Sequence, residues 1–417
     1  MPTWLPFVRK RVGPDIVVAL FTFAVRLGAW ALLPHLEMNS DFFRYQADAA
    51  NLLAGHGYKL APGGPPDIVD TPGYPALILL VRLAWGDSLN ALRFIQIAVS
   101  ALTAVIVQKL GGRLFSAKAG WIAALLFAMY PPFIVLPLQG YSELPYLFVL
   151  MLFVLVYMRF LESPGFRNGV LSGATLGIAT LTRPVSVLLP FALFLGLALA
   201  KPQRARSHLN GFAILLISFT AVLTPWIIRT SVAAGHFVLL DARSGELFYR
   251  GTFPDQVEFD AERRLALADR HLDELPGGDP APPEMDRVYY TAGLRRISQA
   301  PGRYLLLLLP KFAAYWYLTD TMGDGARWLA LFQSLVVAPA FWAIWLLRRR
   351  ARQTMLLSVL LIIGYFVAVN VFLYPLARFS LPIIPLLMVL LAGAASETIG
   401  RAYGEFKAQP ALREPLS

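Results

Sequence analysis

Runs of about twenty apolar residues recur along nearly the whole of this 417-residue sequence. No other feature constrains the fold as strongly. At 1.5 Å per helical residue, such a run matches the hydrocarbon thickness of a bilayer. Backbone amides cannot stay unpaired in lipid, so the runs predict helices. The expected fold is an all-α polytopic membrane protein with about ten transmembrane helices. They are placed near 14–36, 88–108, 119–138, 142–160, 168–182, 184–199, 209–229, 327–347, 355–374 and 382–399. Composition agrees: 57% of residues are hydrophobic and only 15% are charged, against about 25% charged in soluble domains. With no cysteine, neither disulfides nor thiolate metal sites are available. Nothing at the start resembles a cleaved signal peptide. Arg9, Lys10 and Arg11 precede a run long enough to span, which reads as a retained first helix.

Charge distribution orients the bundle. One set of connections carries Arg9, Lys10, Arg11, Lys109, Arg113, Lys118, Arg159, Arg167, Lys201, Arg204, Arg206, Arg348, Arg349, Arg350, Arg352, Arg401, Lys407 and Arg413, about half of the 37 basic residues. Few acids accompany them, which marks the cytoplasmic side. The net charge of +11 is therefore a topological signature and not a nucleic-acid footprint. Ten spans put both ends on that side. Two long segments then face outward: a first extracytoplasmic loop, 37–87, and a second, 230–326. Within the second, residues 303–318 are short, interrupted by Pro310-Lys311 and rich in aromatics, so they read as an interfacial helix on the outer surface. Helical patterns are also expected around Glu258–His271 and Arg287–Ser298.

Ionisable residues gather on the outer side: Asp41, Arg44, Lys59, Asp67 and Asp70 in the first loop, then Glu143, Arg183, Arg229 and Arg378 near the outer ends of different apolar segments. A charge at membrane depth costs at least about 2.5 kcal/mol, so such groups pair or line a polar cavity; snorkelling at helix ends is the bland alternative. The arms 168–182 and 184–199 are too short to span comfortably, so the Thr182-Arg183-Pro184 turn is expected below the outer surface. Pro184 biases Arg183 away from helix. Asp41 has two local readings, an ion pair with Arg44 three residues on and a helix cap shared with Ser40. Asp70 precedes a rigid Thr-Pro-Gly-Tyr-Pro turn, and Glu143 lies in a Pro-flanked apolar run. Three acids among arginines suit activation of a hydroxyl beside an anionic leaving group. Three carboxylates can also hold Mg²⁺ or Mn²⁺. The intervening arginines argue against that, and no metal or cofactor is expected. His56, His236 and His271 fit no metal spacing.

The stretches SDFFRYQADAANLLAGHGY, DTPGYP, YSELPYLF, GIATLTRPVSVLLP, TPWIIRTSVAAGHFVLLDARSGELFYRGT and ARFSLPIIPLL, taken in order, resemble the GT-C superfamily of glycosyltransferases that use lipid-phosphate-linked sugars. The nearest likeness is to bacterial relatives of protein O-mannosyltransferases and of the lipid A aminoarabinose transferase. The resemblance implies a single GT-C transmembrane domain over 1–417, in a bacterial inner (cytoplasmic) membrane with the active site facing outward. It implies that Asp41 is the base or acceptor-positioning carboxylate, Asp70 a second loop acid and Glu143 an acid after the third span. Arg44 and Tyr45 match an Arg-Tyr pair, and Tyr74 joins the substrate-binding set. Thr71 stands where the aminoarabinose enzyme has a lysine, and the chain ends soon after its last span.

The reaction so implied is an inverting single displacement from a polyprenyl-phosphate sugar to a hydroxyl on a glycan, lipid or protein acceptor. Arg44, Arg183 and Arg378 would hold the phosphate, with Arg229 and Lys59 as further candidates. A transporter or flippase of lipid-linked sugar is the competing reading, with the short arms as a broken-helix site. No inverted repeat supports it, and the ionisable groups gather on one side only.

Overall fold

The computed structural model describes residues 13–257, 282–319, 324–350 and 353–408. The basic residues Arg9, Lys10, Arg11, Arg352 and Arg413 and the expected helix around Glu258–His271 lie outside them. No strand occurs among the described residues. The helices are α1 Pro14–Leu32, α2 Ser40–Leu53, α3 Gly73–Trp85, α4 Leu89–Leu114, α5 Ala117–Met129, α6 Pro131–Val135, α7 Glu143–Glu162, α8 Phe166–Thr182, α9 Leu189–Ala200 and α10 Pro202–Ala234. They continue with α11 Ser244–Arg250, α12 Pro282–Gln299, α13 Pro301–Tyr317, α14 Asp324–Leu347, α15 Thr354–Phe372 and α16 Ile384–Ala408.

Seven of these are long and apolar enough to cross a membrane, and the bent pair α5–α6 brings the number to eight. The expected ten would need α8 and α9 as well. At 17 and 12 residues they reach only about 26 and 18 Å, short of a bilayer core of about 30 Å. Residues 301–317 do form a helix, α13. Leu305, Leu306 and Leu309 on it are exposed, whereas Tyr304, Leu307 and Lys311 are buried.

Prolines break the bundle where the sequence places them. Pro131 and Pro132 end α5, and the chain turns by 64° into α6. The carbonyls orphaned there are met by Arg26, a fully buried side chain of α1. It donates to Ala128 O at 2.9 Å, to Phe127 O at 3.3 Å and to Ser100 Oγ at 2.6 Å. This arginine is thus a helix-end clamp. Further along, α8 stops at Thr182. Arg183 is extended at φ −147°, ψ 119°, as the proline after it requires. A 3₁₀ turn, Pro184–Ser186, then leads into α9.

The α8–α10 contact rests on small residues. Gly169, Gly173 and Gly177 recur every four residues along α8, which puts them on one face. A side chain at Gly173 would run into the backbone of Leu215 and into Ser218 on α10. Such stripes let two backbones approach where apolar burial gives no drive, since lipid is as apolar as the partner helix. Helix α7 forms the centre, buried along most of its length between α4 and α8.

Candidate active site

Four polar ties gather the loops at one end of the bundle. Asn39 caps α2, its Oδ1 accepting from Phe42 N at 3.1 Å, while its backbone and side-chain N–H groups both donate to Gln139 O. Neither Asp41 nor Ser40, the residues anticipated as caps, fills that role. Tyr74 at the start of α3 donates to Gly140 O at 2.7 Å. Gly140 sits at φ +68°, where an added side chain would crowd Met38 and Phe42. Arg93 of α4 donates to Leu138 O and Leu36 O. Thr71 Oγ1 donates to Thr182 O at 3.3 Å. Residues 36–42, 70–74, 138–143 and 182–186 thereby converge.

The convergence assembles ion pairs that span the chain. Asp41 Oδ2 lies 3.1 Å from Arg378 Nη1, across 337 residues of sequence. Glu143, only 2% exposed at the first turn of α7, pairs with Arg183, its Oε1 lying 2.7 Å from Arg183 Nη1 and 4.0 Å from Arg378 Nε. Arg183 also donates to Ser142 Oγ at 3.2 Å. The ring of Phe379 lies under both guanidiniums, 5.5 Å from Arg183 and 5.3 Å from Arg378. The local Asp41–Arg44 pairing anticipated from the i,i+3 spacing does not form. Arg44 Nε instead donates to Asp70 Oδ2 at 3.0 Å. Burial pushes Asp70 up to about 6 against the pull of Arg44, with Asp67 adding to the rise. Tyr45 joins the two groups. Its phenol is pushed up to about 12 by burial and lies in the fields of Arg183, Asp70 and Asp41.

The remaining sequence candidates fall elsewhere. The guanidinium of Arg229 donates to Asp67 O and, at 2.8 Å, to Tyr58 O, between the rings of Tyr58 and Trp226. These two hydrogen bonds fasten the first loop to α10. Tyr74 has no exposed surface, and its hydroxyl is shared by Gly140 O and Gln96. It supports Tyr45, whose ring meets it edge-on at 5.2 Å, and does not itself present a surface to substrate. Lys59 makes no ion pair among the described residues.

A cavity of about 920 Å³ opens beside the cluster. Arg183, Arg378 and Phe379 stand in its wall, and apolar residues of α9's approach, α11 and α15 make up most of the rest, among them Leu188, Leu247 and Val369. Asp241, Asp286, Tyr290 and Asn370 add a polar patch. The Asp286 carboxyl accepts Gly245 N at 2.6 Å and is pushed up to about 6 by burial, with Asp241 adding to the rise. A largely apolar cavity of this volume with two arginines in its wall can take an amphiphile with an anionic head. Sequence reasoning did not single out this patch, because its residues come from separate segments that only the fold brings together.

A sequence model of the dolichyl-phosphate-mannose-protein mannosyltransferase family matches residues 69–228, well under half of the chain. Among solved structures, the apo oligosaccharyltransferase of Archaeoglobus fulgidus superposes over 97% of this chain and 52% of its own, with a TM-score of 0.59 and 14% identity. The chain has the GT-C fold. A second GT-C structure, archaeal AglB from Archaeoglobus fulgidus in complex with an inhibitory peptide and a dolichol-phosphate, gives a TM-score of 0.56 at 13% identity, over 97% and 52% of the two chains. ArnT from Cupriavidus metallidurans bound to undecaprenyl phosphate matches over 97% and 80% at 16% identity, with a TM-score of 0.45. The chain spans about half the length of the Archaeoglobus proteins. No curated protein matches it in sequence.

Proposed function

We propose that this multi-pass membrane protein is a glycosyltransferase that moves a sugar from a polyprenyl-phosphate donor to an acceptor hydroxyl. The transfer takes place on the extracytoplasmic face, by inverting single displacement. One observation carries the reading: Asp41, Arg378, Glu143 and Arg183 form a continuous ion-pair chain at the wall of a large apolar cavity. The GT-C fold supports it, as does the dolichol-phosphate bound by the AglB relative.

The lipid chain lies in the apolar cavity and its phosphate meets Arg183 and Arg378. Asp41 takes the acceptor proton, and the acceptor oxygen bonds to the anomeric carbon as the bond from that carbon to the phosphate oxygen breaks. The departing lipid phosphate keeps the electron pair, and the two guanidiniums stabilise its charge without a general acid. Glu143 holds Arg183 and Arg378 in place, and the Arg44–Asp70 pair with Tyr45 orients the acceptor side. Charge on the basic connections supports the outward orientation, and the exposed leucines of α13 suit a helix lying at the interface.

Replacing Asp41 by Asn tests the assignment. Transfer should fall by about 10²–10⁴-fold, the usual worth of a general base, while binding of a fluorescent lipid-phosphate sugar persists. Unchanged transfer would remove Asp41 from the role. Movement of the sugar lipid across proteoliposomes with no acceptor glycosylated would favour a flippase.

A further inference from the structure

The ion-pair chain leaves a second cluster of acids unexplained. Asp48 of α2 lies two turns beyond Asp41 and one beyond Arg44, and Asp67 and Asp70 approach it from the first loop. One carboxylate oxygen from each of the three lies within 4.8 Å of the others. All three residues are buried: Asp48 is 0% exposed, Asp67 6% and Asp70 8%. Neither oxygen of Asp48 has a hydrogen-bond partner, nor has Oδ2 of Asp67, whose Oδ1 is taken by Val69 N.

The cations nearby do not resolve this. Among the described residues, Arg44 hydrogen-bonds Asp70 alone, and the hydrogen bonds of Arg229 go to the backbone carbonyls of Asp67 and Tyr58, not to a carboxylate. A buried carboxylate with no donor at either oxygen is strongly unfavourable unless a charge or a proton answers it. Ligand atoms at about 2.0–2.6 Å from a central ion lie at most about 5 Å apart, which is the spacing found here. The donor set is all oxygen, with no histidine in it and no cysteine in the protein. That set suits hard cations and not zinc or copper.

We propose that Asp48, Asp67 and Asp70 bind one hard divalent cation of the Mg²⁺, Mn²⁺ or Ca²⁺ class, which fastens the 67–70 segment of the first loop to α2. Neither Asp41 nor Glu143 belongs to this site. The cation neutralises the inward-facing Asp48 and fixes Asp70 where it meets Arg44. Its role is structural and holds whether or not the protein transfers sugar.

The test uses the full chain purified in detergent and stripped with a chelator. Mn²⁺ binding is followed by electron paramagnetic resonance, and thermal unfolding is followed with added Mg²⁺, Ca²⁺ or Mn²⁺. Wild type should bind one Mn²⁺ per chain, displaceable by Mg²⁺ or Ca²⁺, and its Tm should rise by about 5 °C at saturation. Asp48→Asn and Asp67→Asn should each lose both effects, and Asp41→Asn should keep them. If Asp48→Asn does not accumulate, Asp67→Asn carries the same comparison. Three results overturn the proposal: no bound Mn²⁺ in wild type, binding undiminished in both variants, or binding lost in Asp41→Asn. A cation-indifferent wild type matched in Tm by Asp48→Asn would mean that Asp48 and Asp67 share a proton instead.

Discussion

Arg378 answers to carboxylates from two distant parts of the chain, Asp41 on α2 and Glu143 on α7. Its extended planar guanidinium allows this, with Nη1 hydrogen-bonded to Asp41 and Nε within 4.0 Å of Glu143; a lysine offers one compact charge. Arg378→Lys should therefore keep the charge yet lower kcat/KM for transfer by about 10²-fold, with donor binding weakened by less. A variant as active as wild type would show that the fork is not used. Asp41 itself was recognisable from sequence as an acid at a helix start. Its partner was not, because an i,i+3 arginine stands closer along the chain. Asp70 takes that arginine in the folded protein.

At the scale of elements, the end of α8 aims Arg183. Pro184 stops the helix, and the glycine stripe sets how deeply α8 seats on α10. Gly173→Leu should prise the two helices apart and cost about 1–3 kcal/mol from overpacking. It should also lower the thermal midpoint and transfer together, since the displacement moves Arg183. Normal stability in Gly173→Leu, measured by thermal unfolding in detergent, would refute the close approach. The stripe and the proline are both visible in the sequence. The Arg26 clamp at the α5 end is not, because an arginine inside an apolar run looks the same whether it meets carbonyls or lines a cavity.

For the whole molecule, the proposed function assigns the cavity beside Arg183 and Arg378 to the lipid of the donor. Val369 of α15 stands in its wall. Val369→Trp should fill part of the space and raise KM for the lipid donor about tenfold, with kcat at saturating donor little changed. Equal KM values would place the lipid elsewhere. Among the described residues, seven helices meet the length and apolarity of a span, eight with the bent pair. The two short arms that would complete ten, α8 and α9, meet at the turn that bears Arg183.

Apolar periodicity, proline positions and the sidedness of lysine and arginine follow from local chemistry, so the sequence by itself determined a helical membrane bundle, its breaks and the acids and arginines worth watching. Tertiary structure decided the partners: Asp41 with Arg378, Glu143 with Arg183, Arg44 with Asp70, Arg229 with the carbonyls of Asp67 and Tyr58, and Tyr74 with Gly140 and Gln96. It also decided the unpartnered Asp48, one helical face with Asp41 and Arg44 yet turned inward on Asp67 and Asp70. The physical reason is that charge pairing in a buried site depends on distance through space, which loop closure sets and sequence separation does not encode.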